Sequence, residues 1–293
     1  TAMNDAGITS SQLDEYLVAR HAKERNAKLR ARDGVENGSG MSDARADEIL
    51  ESYEKQFGEM IGPDQKSSIE KLHGMVMNLA AENRELMVES GLMSREDVDL
   101  MAKEMPNYVP LQYPDTDEYG VPGARQYSSR PSGYDTRGPE GKKAKGKESE
   151  AANPLAQLIA QSATLRIRAE RNKALQSLHK LAAENPNENI WNAISPEQLM
   201  GMSDEQRARI EKAAVGVKID GKQHYIEFKD PSYVETLKGL DAEKIGRVEK
   251  FLQPANNWLR KSFTTLNPEF VFPNFARDIQ AAVFNAIAEA DIE

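Results

Sequence analysis

The chain has no cysteine and only four histidines among its 293 residues. Without cysteine there can be no disulfide and no thiolate chemistry, so the protein does not depend on oxidative cross-links. The histidines are widely separated in the sequence, and their spacing is not that of a helical metal site. The sequence therefore predicts no metal site and no cofactor.

Long apolar runs are missing as well. No run approaches the ~18 consecutive apolar residues that a membrane-spanning helix needs, so we predict no membrane-spanning segment. The mean hydropathy is −0.67 and the hydrophobic fraction is 39%, which is low for one compact globule but normal for extended helical layers. The net charge of −9 provides no overall attraction to nucleic acid or to an anionic membrane.

What the chain does contain favours helices. Glu, Lys, Arg and Ala are abundant, and apolar side chains recur three or four residues apart. From Ile49 to Met60 this spacing predicts one helix, with Met60 on its apolar face. The strongest β signal is Asp220-Gly221, the favoured two-residue hairpin turn, between two alternating segments. We predict a mainly α fold: an elongated multi-helix assembly with one small β-hairpin near residues 215–228.

Capping residues and proline in a first turn give further helix boundaries. Helix starts are predicted at Ser42, Ser94, Pro154, Ser195, Ser203 and Asp230. Apolar positions from Ile69 to Leu86 alternate spacings of three and four, as in a helix–helix seam, with Asn83 as the polar position. A further helix is predicted from Asp241, kinked at Pro254.

The middle of the chain changes character. Six prolines and many glycines lie between positions 106 and 150, and this stretch ends in a lysine-rich run at 141–147. A loop of that length is uncommon inside a compact domain. We predict an N-terminal helical region (1–105), a Pro/Gly/Tyr-rich linker (106–150) and a C-terminal helical region with the hairpin (151–293).

Recognisable catalytic patterns are missing from the sequence. It contains no Gly-rich phosphate loop, no nucleophile elbow and no His-Glu-x-x-His pattern. His21 lies beside the apolar stripe of the first helix, where a hydrogen-bonded structural histidine is favoured over a catalytic base. We therefore predict no catalytic residue and no enzymatic activity for this chain.

Basic residues are concentrated in the second half of the first helix. Positions 20–32 hold six lysines and arginines, with Glu24 as the one acid. Two interpretations stay open: contacts with phosphates, or a solvated helix face, which the acidic remainder of the chain favours. The residues that would contact nucleic acid are Arg20, Lys23, Arg25, Lys28 and Arg32.

The most distinctive segment, from Lys261 to Asp278, holds four phenylalanines, two Asn/Pro breaks and a terminal Arg-Asp pair. No partner group that would support catalysis accompanies it. We predict that its aromatic side chains form core or a protein–protein contact surface. The residues of this prediction are Trp258, Phe263, Phe270, Phe272 and Phe275.

Three segments resemble very large bacteriophage polyvalent proteins. Asp14 to Asn26 is similar to their Tyr-Leu-x-Ala-Arg-His-Ala-x-Glu-Arg-Asn helix, and Pro106 to Leu111 resembles the Tyr-Val-Pro-Leu stretch that follows it. Thr264 to Asp278 resembles their Asn-Pro-x-Phe…Asn-x-x-Arg-Asp block, which an Asp-Gly hairpin precedes, as Ile219–Lys222 does here. Phe272-Pro273 departs from that block, which is usually free of proline, and leaves the start of the local helix open.

The resemblance implies a function without chemistry of its own. Such polyvalent chains are packaged in the capsid and delivered into the host with the genome, and their helical part has no established catalytic residue. We expect a non-enzymatic structural or interaction segment, located in the virion interior and then in the host cytoplasm or periplasm. Its expected partners are other copies or other virion and ejection proteins. The alternative is a nucleic-acid-binding module of such a protein, with weak DNA binding.

The first residue, Thr1, is not an initiator methionine. We expect the chain to be a piece of a longer polypeptide.

Overall fold

The computed structural model describes residues 2–58, 60–61, 66–111, 115–116, 122–123, 133–140 and 153–239. Most of these residues are helical, and a small antiparallel sheet accompanies the helices. The prediction of a mainly α fold with a small β element is confirmed. The helices are α1 (Ala2–Asp5), α2 (Ser10–Asp33), α3 (Asp43–Phe57), α4 (Ser68–Glu89), α5 (Arg95–Glu104), α6 (Pro154–Glu184), α7 (Pro196–Met200), α8 (Asp204–Ala213) and α9 (Pro231–Lys238). The strands are β1 (Met60–Ile61), β2 (Lys66–Ser67), β3 (Asp115–Thr116), β4 (Pro122–Gly123), β5 (Trp191–Ile194), β6 (Ala214–Ile219) and β7 (Lys222–Phe228).

The chain divides into two compact units. Unit 1 comprises Thr1–Glu85, Glu96–Ser128 and Gly141–Ser162, and unit 2 comprises Leu86–Arg95, Ser129–Glu140 and Ala163–Glu293. Both units are discontinuous along the chain, whereas the predicted regions 1–105, 106–150 and 151–293 are continuous. Helices α4 and α6 each contribute residues to both units, and no change of composition inside a helix marks that division.

Unit 1 has a core built from the apolar stripes of its helices. Tyr16 and Leu17 of α2 and Ile69 of α4 are fully buried in one cluster. Val109, within the range predicted as a linker, is also fully buried in that cluster. Asn83 of α4 accepts a hydrogen bond from Ser162 Oγ of α6 at 2.8 Å. The polar position of the predicted helix–helix seam therefore makes an interhelical contact.

Unit 2 contains an antiparallel sheet of three strands in the order β5-β7-β6. Strands β6 and β7 form the predicted hairpin, in which Ile219 pairs with Lys222. The two turn residues, Asp220 and Gly221, have φ values of 50° and 74°, as a type I′ turn requires. Strand β5, which pairs with β7, was not predicted, because its four residues carry neither an alternating pattern nor a turn signal of their own.

Helices cover both faces of this sheet. On one face, Val215, Val217, Ile226 and Phe228 share a buried cluster with Leu175 and Leu178 of α6 and with Val234 and Leu237 of α9. On the other face, Ile194, Ala214 and Tyr225 form a cluster with Ile210 of α8. Unit 2 is thus a small sheet between two helical layers.

Most predicted helix starts agree with the structure. Ser42, Ser195, Ser203 and Asp230 are N-caps, and Pro154 is the first residue of α6. Met60, expected on the apolar face of α3, lies instead in β1, because α3 ends at Phe57 before Gly58. The predicted helix from Asp241, with its kink at Pro254, lies outside the described residues. None of the described helices has a stretch of the length and apolarity that a bilayer crossing requires.

Candidate functional site

The candidate site is the set of polar side chains on α2 that carry the resemblance. The helix starts at a capping box, in which Thr9 Oγ1 accepts from Gln12 N and Gln12 Oε1 accepts from Thr9 N. About two turns further along the helix, Arg20 donates to the hydroxyl of Tyr16, with Nε at 2.9 Å and Nη2 at 2.6 Å. Because Tyr16 is fully buried, this contact ties the arginine to the core of unit 1.

The buried His21 and the partly buried Glu24 form a pair that contacts the Pro106–Leu111 segment. The Nδ1 atom of His21 lies 2.6 Å from Glu24 Oε1, and the imidazole side chain is fully buried. Glu24 also accepts from Asn107 N at 3.2 Å, and the His21 ring meets Tyr108 edge-on with centroids 5.6 Å apart. Two of the three segments that carry the resemblance are therefore in contact.

Burial decides the charge state of this histidine. Loss of solvation lowers the pKa of His21, and Arg25 adds to that effect, whereas the hydrogen bond and charge of Glu24 oppose it. The net pKa is below the ordinary value, so the ring is neutral near pH 7. Its Nε2 atom is buried and has no hydrogen-bond partner among the described residues.

A second histidine, His73 of α4, lies in the same part of unit 1. Its ring meets Tyr16 edge-on at 6.0 Å between centroids. Burial lowers the pKa of His73, and the charge of Arg20 lowers it further, while a hydrogen bond with Asn107 raises it. Its Nε2 atom, too, is buried without a partner in the described part of the chain.

The last two motif residues, Arg25 and Asn26, hold the loop that follows α2. Asn26 is fully buried; its Nδ2 donates to Met41 O and to Asp43 Oδ1, each at 2.8 Å, and its Oδ1 accepts from Ser39 N at 2.9 Å. Arg25 is 6% exposed and donates from Nε to Gly38 O at 3.3 Å. These contacts fasten the helix to a segment 13 to 17 residues later.

A glycine lies where this loop approaches α2 closely, and a larger residue would force Leu29 to shift. A Cβ atom on Gly38 would lie 2.3 Å from Leu29 Cδ1, well inside van der Waals contact. The close approach of the loop to α2 is therefore built into the sequence at Gly38.

Each of the five side chains predicted to contact nucleic acid has a partner within unit 1. Arg20 bonds to Tyr16 and Arg25 to the loop, as described above. The other three form ion pairs with carboxylates: Lys23 with Asp47, Lys28 with Glu104 and Arg32 with Asp33. Nearby carboxylates therefore neutralise positive charges of the stretch that is basic in sequence.

Unit 2 contains a second buried asparagine in the same sequence context. Glu170-Arg171-Asn172 of α6 repeats Glu24-Arg25-Asn26 of α2. The Nδ2 of Asn172 donates to Ser90 O at 2.7 Å and to Lys218 O at 2.8 Å. Its Oδ1 accepts from Lys218 N at 2.9 Å and from Thr136 Oγ1 at 2.6 Å. The repeated tripeptide was the available sequence signal for this residue, and sequence reasoning missed it.

The partners of Asn172 follow from the hairpin register. After a two-residue turn, alternate residues of β6 direct their backbone groups away from β7, and Gly216 and Lys218 are among them. Asn172 forms hydrogen bonds with both the backbone N–H and the backbone C=O of Lys218. Gly216 N donates to Asp135 Oδ1 at 3.1 Å, and Gly216 O accepts from Thr136 N at 2.9 Å. The edge of the sheet is thereby closed by side chains and by the 133–140 segment.

The polar side chains of this site make contacts that stabilise the fold of unit 1. The described residues contain no group of three or more His, Asp or Glu side chains placed to bind a metal ion. The His21–Glu24 pair has the composition of a general base with its orienting carboxylate, yet the imidazole is fully buried. The predicted interaction residues Trp258, Phe263, Phe270, Phe272 and Phe275 lie outside the described residues.

Comparison with known proteins adds no relative. No family model matches the chain, and neither a curated protein nor a solved structure shows significant similarity to it.

Proposed function

We propose that this chain is a non-enzymatic, mainly helical structural or interaction segment of a phage virion protein that is ejected into the host with the genome. The observation that carries the proposal is the use of the Asp14–Asn26 segment, one of the three that carry the resemblance. Its polar side chains bond to Tyr16, to Asn107 and to the 38–43 loop. A segment that serves the fold in this way suits a structural module, whereas a catalytic motif would expose reactive atoms in a cleft.

The construction of the two units supports the same role. Each unit has its own apolar cluster, and hydrogen bonds of a buried asparagine further stabilise each unit. Small cores of this kind keep the free energy of unfolding modest, which suits a chain that unfolds, passes a narrow conduit and refolds. Other copies of the chain and other virion proteins are the proposed partners. The virion interior and then the host cell are the proposed locations.

Mass spectrometry of purified particles of the phage that encodes the chain tests this proposal. We expect peptides from both units in particles, and peptides in the cells shortly after infection when phage protein synthesis is blocked. A replication protein of the same phage is the control and should be missing from both samples. Detection of the chain only in cells that synthesise phage proteins would contradict the proposal.

Nucleic-acid binding is the alternative proposal, and the pairing of the basic side chains weighs against it. It requires phosphates to displace Asp47, Glu104 and Asp33 from their cations. An electrophoretic mobility-shift measurement at low salt decides it, since phosphate contacts give affinity that falls steeply with salt. No shift with duplex or single-stranded DNA ends this alternative.

A further inference from the structure

All four histidines of the chain share one property. Each has a ring nitrogen that is buried and, among the described residues, without a hydrogen-bond partner: Nε2 of His21, His73 and His179, and Nδ1 of His224. Their neighbours differ between the two units. In unit 1 Glu24 raises the pKa of both rings, through a hydrogen bond to His21 and through its charge at His73. In unit 2 the two histidines contact each other.

His179 and His224 connect α6 to the hairpin. Their ring centroids are 5.1 Å apart and the planes meet at 83°, an edge-on contact. His224 lies on the face of β7 that also carries Ile226 and Phe228, because side chains alternate along a strand. That face packs on α6, one turn of which holds Leu175, Leu178 and His179. The pair therefore continues the apolar contact between α6 and the sheet.

The charged groups around the pair would not offset the positive charges of two protonated rings. Burial lowers the pKa of His179, and the charge of His224 lowers it further. Burial also lowers the pKa of His224; the charge of Glu197 on α7 opposes this, and that of Lys222 on β7 adds to it. Next to His179 on α6, Lys180 lies 3.8 Å from Glu184. His179 and His224 are both partly buried, and two positive rings in direct contact there would repel each other.

We propose that the His179–His224 pair is an acid-sensitive contact, which holds α6 on the β6–β7 hairpin while both rings are neutral and releases it when they bind protons. The ligand of this site is the proton. The proposal concerns unit 2 alone and does not depend on the proposed function.

The direction of the pH effect follows from proton binding. A histidine in an opened chain titrates near 6.5, and both folded rings titrate below that value. Below this pH the opened state therefore binds more protons than the folded state. The contribution of the two histidines to the stability of the contact is complete above about pH 6.5 and is lost as the pH falls below that value. Within the window, each ring raises the opening equilibrium constant up to about tenfold per pH unit, and the pair up to about 100-fold.

Fluorescence of Trp191 provides a local measurement. Trp191 is 3% exposed and belongs to the cluster between α6 and the sheet. In a Trp258→Phe chain it is the one remaining tryptophan. We expect its emission to shift to longer wavelength as the pH falls from 7.5 to 5. His179→Gln with His224→Gln should move the midpoint by about one pH unit toward the range where carboxylates titrate.

His73→Gln, in unit 1, is the matched control and should leave the Trp191 midpoint unchanged. An identical midpoint in the parent and in the double variant would overturn the proposal.

A second measurement works without the double variant, should that variant fail to fold. The imidazole Cε1 proton resonances of the Trp258→Phe chain report the titration of each histidine directly. We expect those of His179 and His224 to titrate below 6.5 together with the loss of buried Trp191 emission. Titration of either ring at 6.5 or above, with Trp191 still buried, would refute the proposal.

Discussion

Units 1 and 2 each place a fully buried asparagine on a long helix, but the two asparagines have different partners. Asn26 binds a loop: two backbone groups and the carboxylate of Asp43. Asn172 binds the outward backbone groups of a strand edge, a carbonyl that follows α4 and the hydroxyl of Thr136. One side chain with two donors and an acceptor can therefore close a loop or a sheet edge.

The histidines extend this comparison. Unit 1 places a carboxylate against His21, whereas unit 2 places a second imidazole against His179. A carboxylate stabilises a protonated ring beside it. A neighbouring imidazole can do so only while it is itself neutral. Burial lowers the pKa of the histidines in both units, so proton binding opposes both folds below about pH 6.5, and the units differ in the group that faces the ring.

The largest effect is expected for Asn172→Asp. A carboxylate would face the carbonyl oxygens of Ser90 and Lys218, which now accept hydrogen bonds from the amide. We expect the free energy of unfolding of unit 2 to fall by about 3–5 kcal/mol. Urea titration followed by Trp191 emission in the Trp258→Phe chain measures it.

Asn189→Asp is the matched control, because Asn189 is exposed in the same unit. It should change the free energy of unfolding by less than about 0.5 kcal/mol. Equal effects of the two substitutions would show that Asn172 does not close the sheet edge.

A smaller effect is expected for Asn26→Asp in unit 1, with partial rescue. The new carboxylate would face the carboxylate of Asp43, and we expect a loss of about 2–3 kcal/mol. Adding Asp43→Asn restores a donor opposite position 26 and should recover part of the loss. Hydrogen exchange of the α2 and α3 amides, followed by mass spectrometry, measures both. Failure of the second substitution to restore any protection would contradict the assigned contact.

Glu24→Gln tests the carboxylate of unit 1. The substitution removes a charged acceptor from His21 and from Asn107, so we expect a loss of about 1–2 kcal/mol. It should also lower the pKa of His21 further, because Glu24 now raises it. The Cε1 proton titration of His21 measures the pKa, and Glu51→Gln on the exposed face of α3 is the control. An unchanged or higher His21 pKa would be incompatible with the pair.

The smallest effect is expected at the paired surface cations. Lys23→Gln and Lys28→Gln each remove a half-exposed ion pair, which contributes about 0–1 kcal/mol. Thermal unfolding of the two variants should therefore stay close to that of the parent chain. A loss of DNA affinity in these variants would favour the nucleic-acid alternative.

The sequence was most informative where one local signal determines the geometry. Asp220-Gly221 requires two residues with positive φ, so the hairpin could be placed from the turn alone. Pro154 and the serine caps likewise fixed helix starts. The position of Asn83 in the spacing pattern of α4 indicated an interhelical contact, and Ser162 is its partner.

Partners distant in sequence could not be predicted in this way. The acceptors of Asn26 lie in the loop after α2 and at the first residue of α3. Those of Asn172 lie 82 residues earlier, after α4, and 46 residues later, on β6. Strand β5 exists because β7 offers it a pairing edge, and that edge is a property of the folded unit rather than of the four residues. The ion-pair partners of Lys23 and Lys28 in the basic stretch at 20–32 were equally hidden from the sequence, because Asp47 and Glu104 lie on other helices.

Two backbone amides test the central claim most directly, because each donates to one of the buried asparagines. Ser39 N lies 2.9 Å from Asn26 Oδ1, and Lys218 N lies 2.9 Å from Asn172 Oδ1. Residue-resolved hydrogen exchange by nuclear magnetic resonance should find both amides as slow as those of the surrounding core, although Ser39 lies in a loop. Exchange of either amide at the rate of an exposed loop residue would contradict the claim that each asparagine stabilises its own unit.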